Sequence, residues 1–171
     1  MDVLLSEDQI RTRIDELAAE VKATYAGQPV VVVGVLTGCL IFLADLIRRL
    51  DSPLQIGLVK ASSYRGATTT AGTLTVDGGL LPDLRGRHVL LLDDILDSGN
   101  TLAKIVAHLR EAGAASIRTA VLLRKIGRQT VPFEPEFVGF TIPDKFVVGY
   151  GLDYNDEYRH LPFIGVVPGT D

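Results

Sequence analysis

The stretch His88-Val-Leu-Leu-Leu-Asp-Asp-Ile-Leu-Asp-Ser-Gly-Asn-Thr-Leu102 decides how this chain is read. An apolar run from Val89 to Leu92 has the character of a strand buried on both faces, and it ends in the pair Asp93-Asp94. The polar turn Asp97-Ser98-Gly99-Asn100-Thr101 follows, and a helical pattern begins at about Thr101 and runs to Glu111. A strand therefore delivers two carboxylates to its C-terminal edge, and a glycine-containing turn presents backbone N–H groups and two hydroxyls at a helix N-terminus. Unpaired donors and the helix dipole both favour an anion there. Carboxylates beside a phosphate cradle would repel the phosphate unless they hold sugar hydroxyls, a magnesium ion, or both. The combination implies a phosphorylated sugar.

Outward from this stretch, strands and helices alternate. Ser6 with Gln9 forms a capping box, and Ile10, Ile14, Leu17 and Val21 recur at helical spacing until Gly27 and Pro29. Val30 to Leu36 is a buried strand, Leu40 to Leu50 a helix broken by Asp51-Ser52-Pro53, and Leu54 to Ala61 the next strand. Ser62 to Gly79 is rich in Ser, Thr and Gly, with weak alternation at Leu74 and Val76. Ile117 to Leu123 reads as a further buried strand. Short β-like runs (Phe137 to Phe140, Phe146 to Gly149, Phe163 to Val167) lie between prolines and predict a small appendage. The alternation predicts right-handed crossovers and an α/β fold with a central, mainly parallel twisted sheet flanked by helices.

Composition narrows the function classes. The chain has 171 residues, enough for one domain with a continuous core. Its net charge of −4 argues against a protein that coats nucleic acid. Cys39 is the single cysteine, so no intrachain disulfide forms and a reducing compartment is expected. The N-terminal Met-Asp-Val-Leu-Leu-Ser-Glu-Asp has acids where a signal peptide needs bases, and no apolar run approaches the roughly 20 residues that span a bilayer. The expectation is a cytoplasmic protein with no membrane partner. Neither dinucleotide nor P-loop glycine motifs occur, and His88, His108 and His160 lack metal-ligand spacing.

Asp93 to Thr101 resembles the phosphoribosyl-pyrophosphate signature of type I phosphoribosyltransferases. The whole chain is similar to the 6-oxopurine branch, the hypoxanthine-guanine phosphoribosyltransferases of the short bacterial kind. Besides the signature, the likeness covers Gly34-Val-Leu-Thr-Gly38, Ser62-Ser63-Tyr64, Lys125, the run Ile142-Pro-Asp-Lys-Phe-Val-Val-Gly-Tyr-Gly-Leu-Asp-Tyr154, and Arg159.

The resemblance implies transfer of a 5-phosphoribosyl group from phosphoribosyl pyrophosphate to a 6-oxopurine, as in purine salvage. It implies one domain over residues 1–171, with a lid at about 62–79 that includes Ser63 and Tyr64, and a hood mainly at about 130–171. Asp93 and Asp94 would hold the ribose hydroxyls. Asp97, Ser98, Gly99, Asn100 and Thr101 would cradle the 5′-phosphate, and Asp97 would exchange a proton with purine N7. Lys125 would read the 6-oxo group, Phe146 would stack on the base, and the Val147 and Leu152 backbones would read its edge. Leu36, Thr37 and Gly38, with a cis peptide between Leu36 and Thr37, would meet pyrophosphate together with Arg159. Asp153, with Asp93 and Asp94, would hold Mg2+.

Two positions depart from relatives that carry a basic residue, namely Asn100 and Thr37. Read without the resemblance, Asp97 and Asp153 also suit loop caps, Phe146 suits a hydrophobic strand, and Ser62 to Gly79 suits an exposed hairpin. Arg124 and Arg128 compete with Lys125 for its role. Relatives are commonly dimers or tetramers, so a homo-oligomer is implied. Two alternatives stay open at this stage: a nucleotide-binding, RNA-binding regulator on the same fold, and an enzyme for another base.

Overall fold

The computed structural model describes residues 1–64 and 73–170. Its elements are β1 (Asp2–Leu5), α1 (Glu7–Tyr25), β2 (Val30–Val35), α2 (Leu40–Ile47), β3 (Leu54–Tyr64) and β4 (Thr73–Leu80). They continue with β5 (His88–Leu96), α3 (Asn100–Glu111), β6 (Ser116–Lys125), β7 (Phe137–Ile142), β8 (Val147–Val148) and β9 (Ile164–Val166). Six strands form one sheet in the order β4-β3-β2-β5-β6-β7. It is parallel throughout except for the antiparallel β3/β4 pair at one edge.

Both faces of this sheet are covered, which is why its central strands are almost unbroken Val and Leu. Alternate residues of β2 and β5 enter two cores. Val30, Val32, Leu90 and Leu92 pack with Ile10, Ile14, Leu17, Phe42 and Leu46 of α1 and α2. Val31, Val33, Val89 and Leu91 pack with Leu102, Ile105 and Leu109 of α3. Each such buried aliphatic side chain contributes about 1.5–3 kcal/mol of transfer free energy. The Ser6–Gln9 capping box that starts α1 is formed.

From β2 the chain passes to β3 on one side, while β5 lies on the other. The C-terminal ends of β2 and β5 thus flank a topological switch point, where open parallel sheets bind ligands. The turn after β2 and the turn after β5 both emerge there.

Three features differ from the sequence expectation. β5 does not stop at Leu92, because Asp93, Ile95 and Leu96 continue the ladder with Val121, Leu123 and Arg124 of β6. On its other side the ladder with β2 ends at Gly34↔Leu92, so the two acids project past β2 while β6 still holds them. Phe137–Ile142 belongs to the main sheet, not to an appendage. The surrounding prolines at 132, 135 and 143 lie outside the strand and punctuate it without interrupting a ladder. Lastly, the small antiparallel sheet β1-β9-β8 takes one strand from the N-terminus. β1 is short and largely exposed, so it carries no periodic signal.

Candidate active site

Asp93 is buried and Asp94 half-buried. Burial holds both carboxyls above the usual carboxylate range, and the charge of Asp94 raises Asp93 further. The Asp93 carboxylate accepts a hydrogen bond from the Asp94 N–H at 2.9 Å, and the positive charge of Arg159 partly offsets the rise at Asp94. Nothing in the cores needs these two acids, and keeping them ionised there opposes folding. The Leu36-Thr37-Gly38 turn lies directly on Asp94. A Cβ at Gly38 would overlap the Asp94 carboxylate, and a Cβ at Gly151 would overlap the Gly38 carbonyl oxygen. Glycine at 38 and 151 therefore lets three segments meet. The Leu36–Thr37 peptide is cis.

After β5 the chain turns through Asp97, Ser98 and Gly99 into α3. Gly99 adopts φ +90°, open to glycine, and no side chain caps α3, in contrast to α1. Ser98 Oγ accepts from the Asn100 N–H at 3.3 Å, and the N–H groups of Thr101 and Leu102 are left for another acceptor. A strap from 129 to 133 braces this turn from outside. Thr130 N–H donates to Ser98 O at 2.9 Å, and the Asn100 amide donates to Thr130 Oγ1 at 3.2 Å. Asn100 thus ties the turn to the strap.

Two cavities open at this corner. One, of about 300 Å³, is lined by Val35, Leu36, Asp93, Asp94, Ser98 and Thr101, among others. A second, of about 200 Å³, is lined by Lys125, Phe146, Val147, Leu152 and Asp153. Asp94, Ile95 and Asp97 line both, so a single wall separates two adjoining chambers.

Lys125 is the last residue of β6, and its side chain is only 11% exposed. Successive strand residues face opposite ways, so Arg124 points elsewhere and pairs with Glu134 at 2.7 Å. Of the two, Lys125 lines the smaller chamber. Phe146 is not core: it is 38% exposed and packs edge-on against Tyr154, with ring centroids 5.4 Å apart. An exposed ring on a chamber wall has a face free to stack, which a core phenylalanine lacks.

Asp153 does cap its turn, accepting from Asp156 N–H at 2.8 Å, while its other oxygen lies 3.2 Å from Arg159. Arg159 donates to Gly151 O at 2.7 Å and borders a different cavity, with Ile41, Asp45 and Tyr150. It meets the smaller chamber through Asp153, which lines it. Thr37 is exposed. The backbone of Ser63 and Tyr64 ends β3, and the remainder of the expected lid at 65–72 lies outside the described residues.

Comparison with known proteins gives this corner a family. The phosphoribosyl transferase domain model matches residues 2–155. The hypoxanthine-guanine phosphoribosyltransferase of Streptococcus pneumoniae is 40% identical over 96% of this chain and 92% of its own length. The hypoxanthine phosphoribosyltransferase of Salmonella typhimurium is 43% identical over 98% and 95%. A crystal structure of a hypoxanthine-guanine phosphoribosyltransferase from Bacillus anthracis superposes with TM-score 0.90 at 36% identity, covering 98% of each chain. This chain belongs to the hypoxanthine-guanine phosphoribosyltransferase family.

Phosphoribosyltransferases generally use a magnesium ion, and the acids here fit that need. Among the described residues no cluster of three or more His, Cys, Asp or Glu side chains stands ready to hold a metal alone. Asp94 and Asp153 share a chamber wall. One or two hard carboxylates completed by substrate oxygens is the ligation magnesium prefers.

The sequence reading missed several residues. Tyr154 closes on Phe146 although it sat at the end of a quoted run. Asp144 carried no role and Arg128 stood only as a rival to Lys125, whereas the two join an ion-pair network with Asp97 and Lys125. Such pairing between loops leaves no local signature, because it depends on how β6 and β7 end side by side. No membrane-crossing helix is present among the described residues.

Proposed function

We propose that this chain transfers the 5-phosphoribosyl group from phosphoribosyl pyrophosphate to hypoxanthine or guanine, giving IMP or GMP and pyrophosphate. One observation carries this reading: two chambers joined at a wall of Asp94, Ile95 and Asp97, one ending at the N-terminus of α3 and the other at Lys125 and Phe146. The sugar phosphate occupies the larger chamber and the base the smaller, so the anomeric carbon falls at the shared wall.

In the reaction the C1′–O bond to pyrophosphate breaks as the N9–C1′ bond forms, and the N7 proton of the base passes to Asp97. The ribose becomes cationic as its leaving group departs. Asp93 and Asp94 accept from the ribose hydroxyls and hold negative potential beside that charge in a site that already exists before substrate arrives. Ser98, Gly99, Asn100 and Thr101 seat the 5′-phosphate on the α3 N-terminus.

Lys125 has only donors, which suits a 6-oxo group and rejects a 6-amino group. Phe146 stacks on the ring, and the backbones of Val147 and Leu152 read its edge. Leu36, Thr37, Gly38 and Arg159 receive the pyrophosphate, the planar guanidinium matching its oxygens. Asp153, together with Asp93 and Asp94, would hold Mg2+, which when bound neutralises charge on the leaving group. The segment at about 62–79, with Ser63 and Tyr64, acts as a lid that excludes water from the cationic centre.

The chain works as one domain whose hood, drawn mainly from about 130–171, leaves β7 in the main sheet and takes in β1; it acts in the cytoplasm, as a homo-oligomer (dimer or tetramer), and without nucleic acid. The net charge of −4 supports the last point. The test is pyrophosphate release measured separately with hypoxanthine, guanine, xanthine and adenine. Hypoxanthine and guanine support turnover and adenine very little. A preference for adenine would remove Lys125 from its role, and no release with any base would overturn the assignment.

A further inference from the structure

We infer that Arg128 and Asp144 are positioning residues that hold Asp97 and Lys125 apart across the base chamber. This rests on the roles proposed above for the inner pair. Four charges alternate around a ring. Arg128 Nε donates to Asp97 Oδ1 at 2.9 Å, and Arg128 Nη1 lies 3.7 Å from Asp144 Oδ2. Lys125 Nζ lies 3.6 Å from Asp144 Oδ1 and 3.9 Å from Asp97 Oδ2. Only Asp97 and Lys125 line the chamber; Arg128 and Asp144 stand outside it.

The topology explains the ring. β6 and β7 run in register up to Lys125↔Ile142, and Ile126 N–H then donates to Ile142 O at 3.0 Å. Beyond that point they diverge into the loops that carry Arg128 and Asp144. The Arg128 loop continues into the strap that braces Ser98, so the ring is joined to the phosphate turn.

The physical problem is that the two groups a 6-oxopurine needs are also partners for each other. An ammonium and a carboxylate at 3.9 Å, in a chamber where Lys125 is largely buried, are drawn toward direct contact. Contact would consume the donor intended for the 6-oxo group and the acceptor intended for N7. Asp144 draws Lys125 outward, and Arg128 engages Oδ1 of Asp97, leaving Oδ2 as the oxygen that faces the lysine and the chamber. The base then inserts between two groups already directed outward and not yet joined. The outer side chains are about half exposed, Arg128 at 50% and Asp144 at 49%, and pairs of that kind contribute little to folding. Their placement is better suited to aiming the inner pair than to holding the fold.

The test uses the full chain and the variants Arg128→Gln, Asp144→Asn, the double variant and Arg128→Lys. Arg128→Gln and Asp144→Asn each raise KM for hypoxanthine by about tenfold and lower kcat. KM for phosphoribosyl pyrophosphate stays within about twofold, and melting is nearly unchanged. The double variant is no worse than the poorer single variant, because either opening already lets the inner pair close. Arg128→Lys recovers most of the loss. Wild-type values for base KM and kcat in Arg128→Gln, or strictly additive penalties, would overturn the inference. A crystal structure of Arg128→Gln tests it independently of any activity: the Lys125–Asp97 separation falls to about 3 Å. An unchanged separation would overturn it even if the assigned reaction fails.

Discussion

Replacing Asp93 by Asn should make this protein more stable and less active. Asp93 is buried beside Asp94, and burial together with that neighbouring charge favours its protonated form. Asparagine keeps the shape and keeps an oxygen to accept the Asp94 N–H, now 2.9 Å from the carboxylate, while removing the charge. The effective cost of a buried ion is several kcal/mol, and ligation through the chamber softens it, so about 2 kcal/mol is recovered. For 171 residues that raises Tm by about 4–8 °C.

The pH dependence has a definite sign. A carboxyl whose folded pKa is raised contributes stability that is complete below its unfolded value, near 4, and lost as pH rises through the folded value. Asparagine does not titrate. The Tm difference between variant and wild type is therefore near zero at about pH 4 and widens as pH rises from there. Differential scanning calorimetry of both proteins in chelator-treated buffer, without ligand, measures it. A variant that melts at or below wild type at pH 8, or a gap that does not grow with pH, would refute the reasoning.

Three further outcomes follow from the same geometry. Asp97→Asn lowers kcat by about 10²–10³-fold with little change in KM for the ribosyl donor, and steady-state kinetics in both substrates checks the split. Gly38→Ala forces a methyl into the Asp94 carboxylate and shifts the turn on which Gly151 also rests. Its activity falls by about 10²-fold, read from pyrophosphate release. Phe146→Ala loses a stacking face worth about 1–3 kcal/mol, raising the base KM by about 5- to 150-fold. It leaves Tm almost unchanged, because Phe146 is not core.

What could be read from the chain was what local pattern determines. The Val30–Val35 and Val89–Leu92 runs betray strands covered on both faces, Ser6 and Gln9 mark a helix start, and Gly99 marks the turn into α3. Where local pattern is silent, the reading fell short. β5 continues through two aspartates because its partner β6 keeps pairing, and no propensity of Asp93 or Asp94 announces that. β7 looked like part of an appendage because prolines surround it, although its register with β6 decides its sheet. β1 is placed by β9, more than 150 residues away in sequence.

The candidate site shows the same division. Asp93, Asp94, Asp97, Ser98 and Thr101 are close in sequence, and the structure brings them to one chamber. The order of motifs suggested that Lys125, Phe146 and Asp153 belong together, and only the folded chain puts them on one wall. The pairings of Arg128, Asp144 and Tyr154 were out of reach, since each acts through a partner on another loop.

The most direct measurement is a crystal structure of this chain with IMP bound. The account predicts the 5′-phosphate on the N–H groups and hydroxyls of residues 98–101, the ribose hydroxyls against Asp93 and Asp94, and the base between Phe146 and Lys125. IMP found in another cavity, with the corner between β5 and α3 empty, would contradict it.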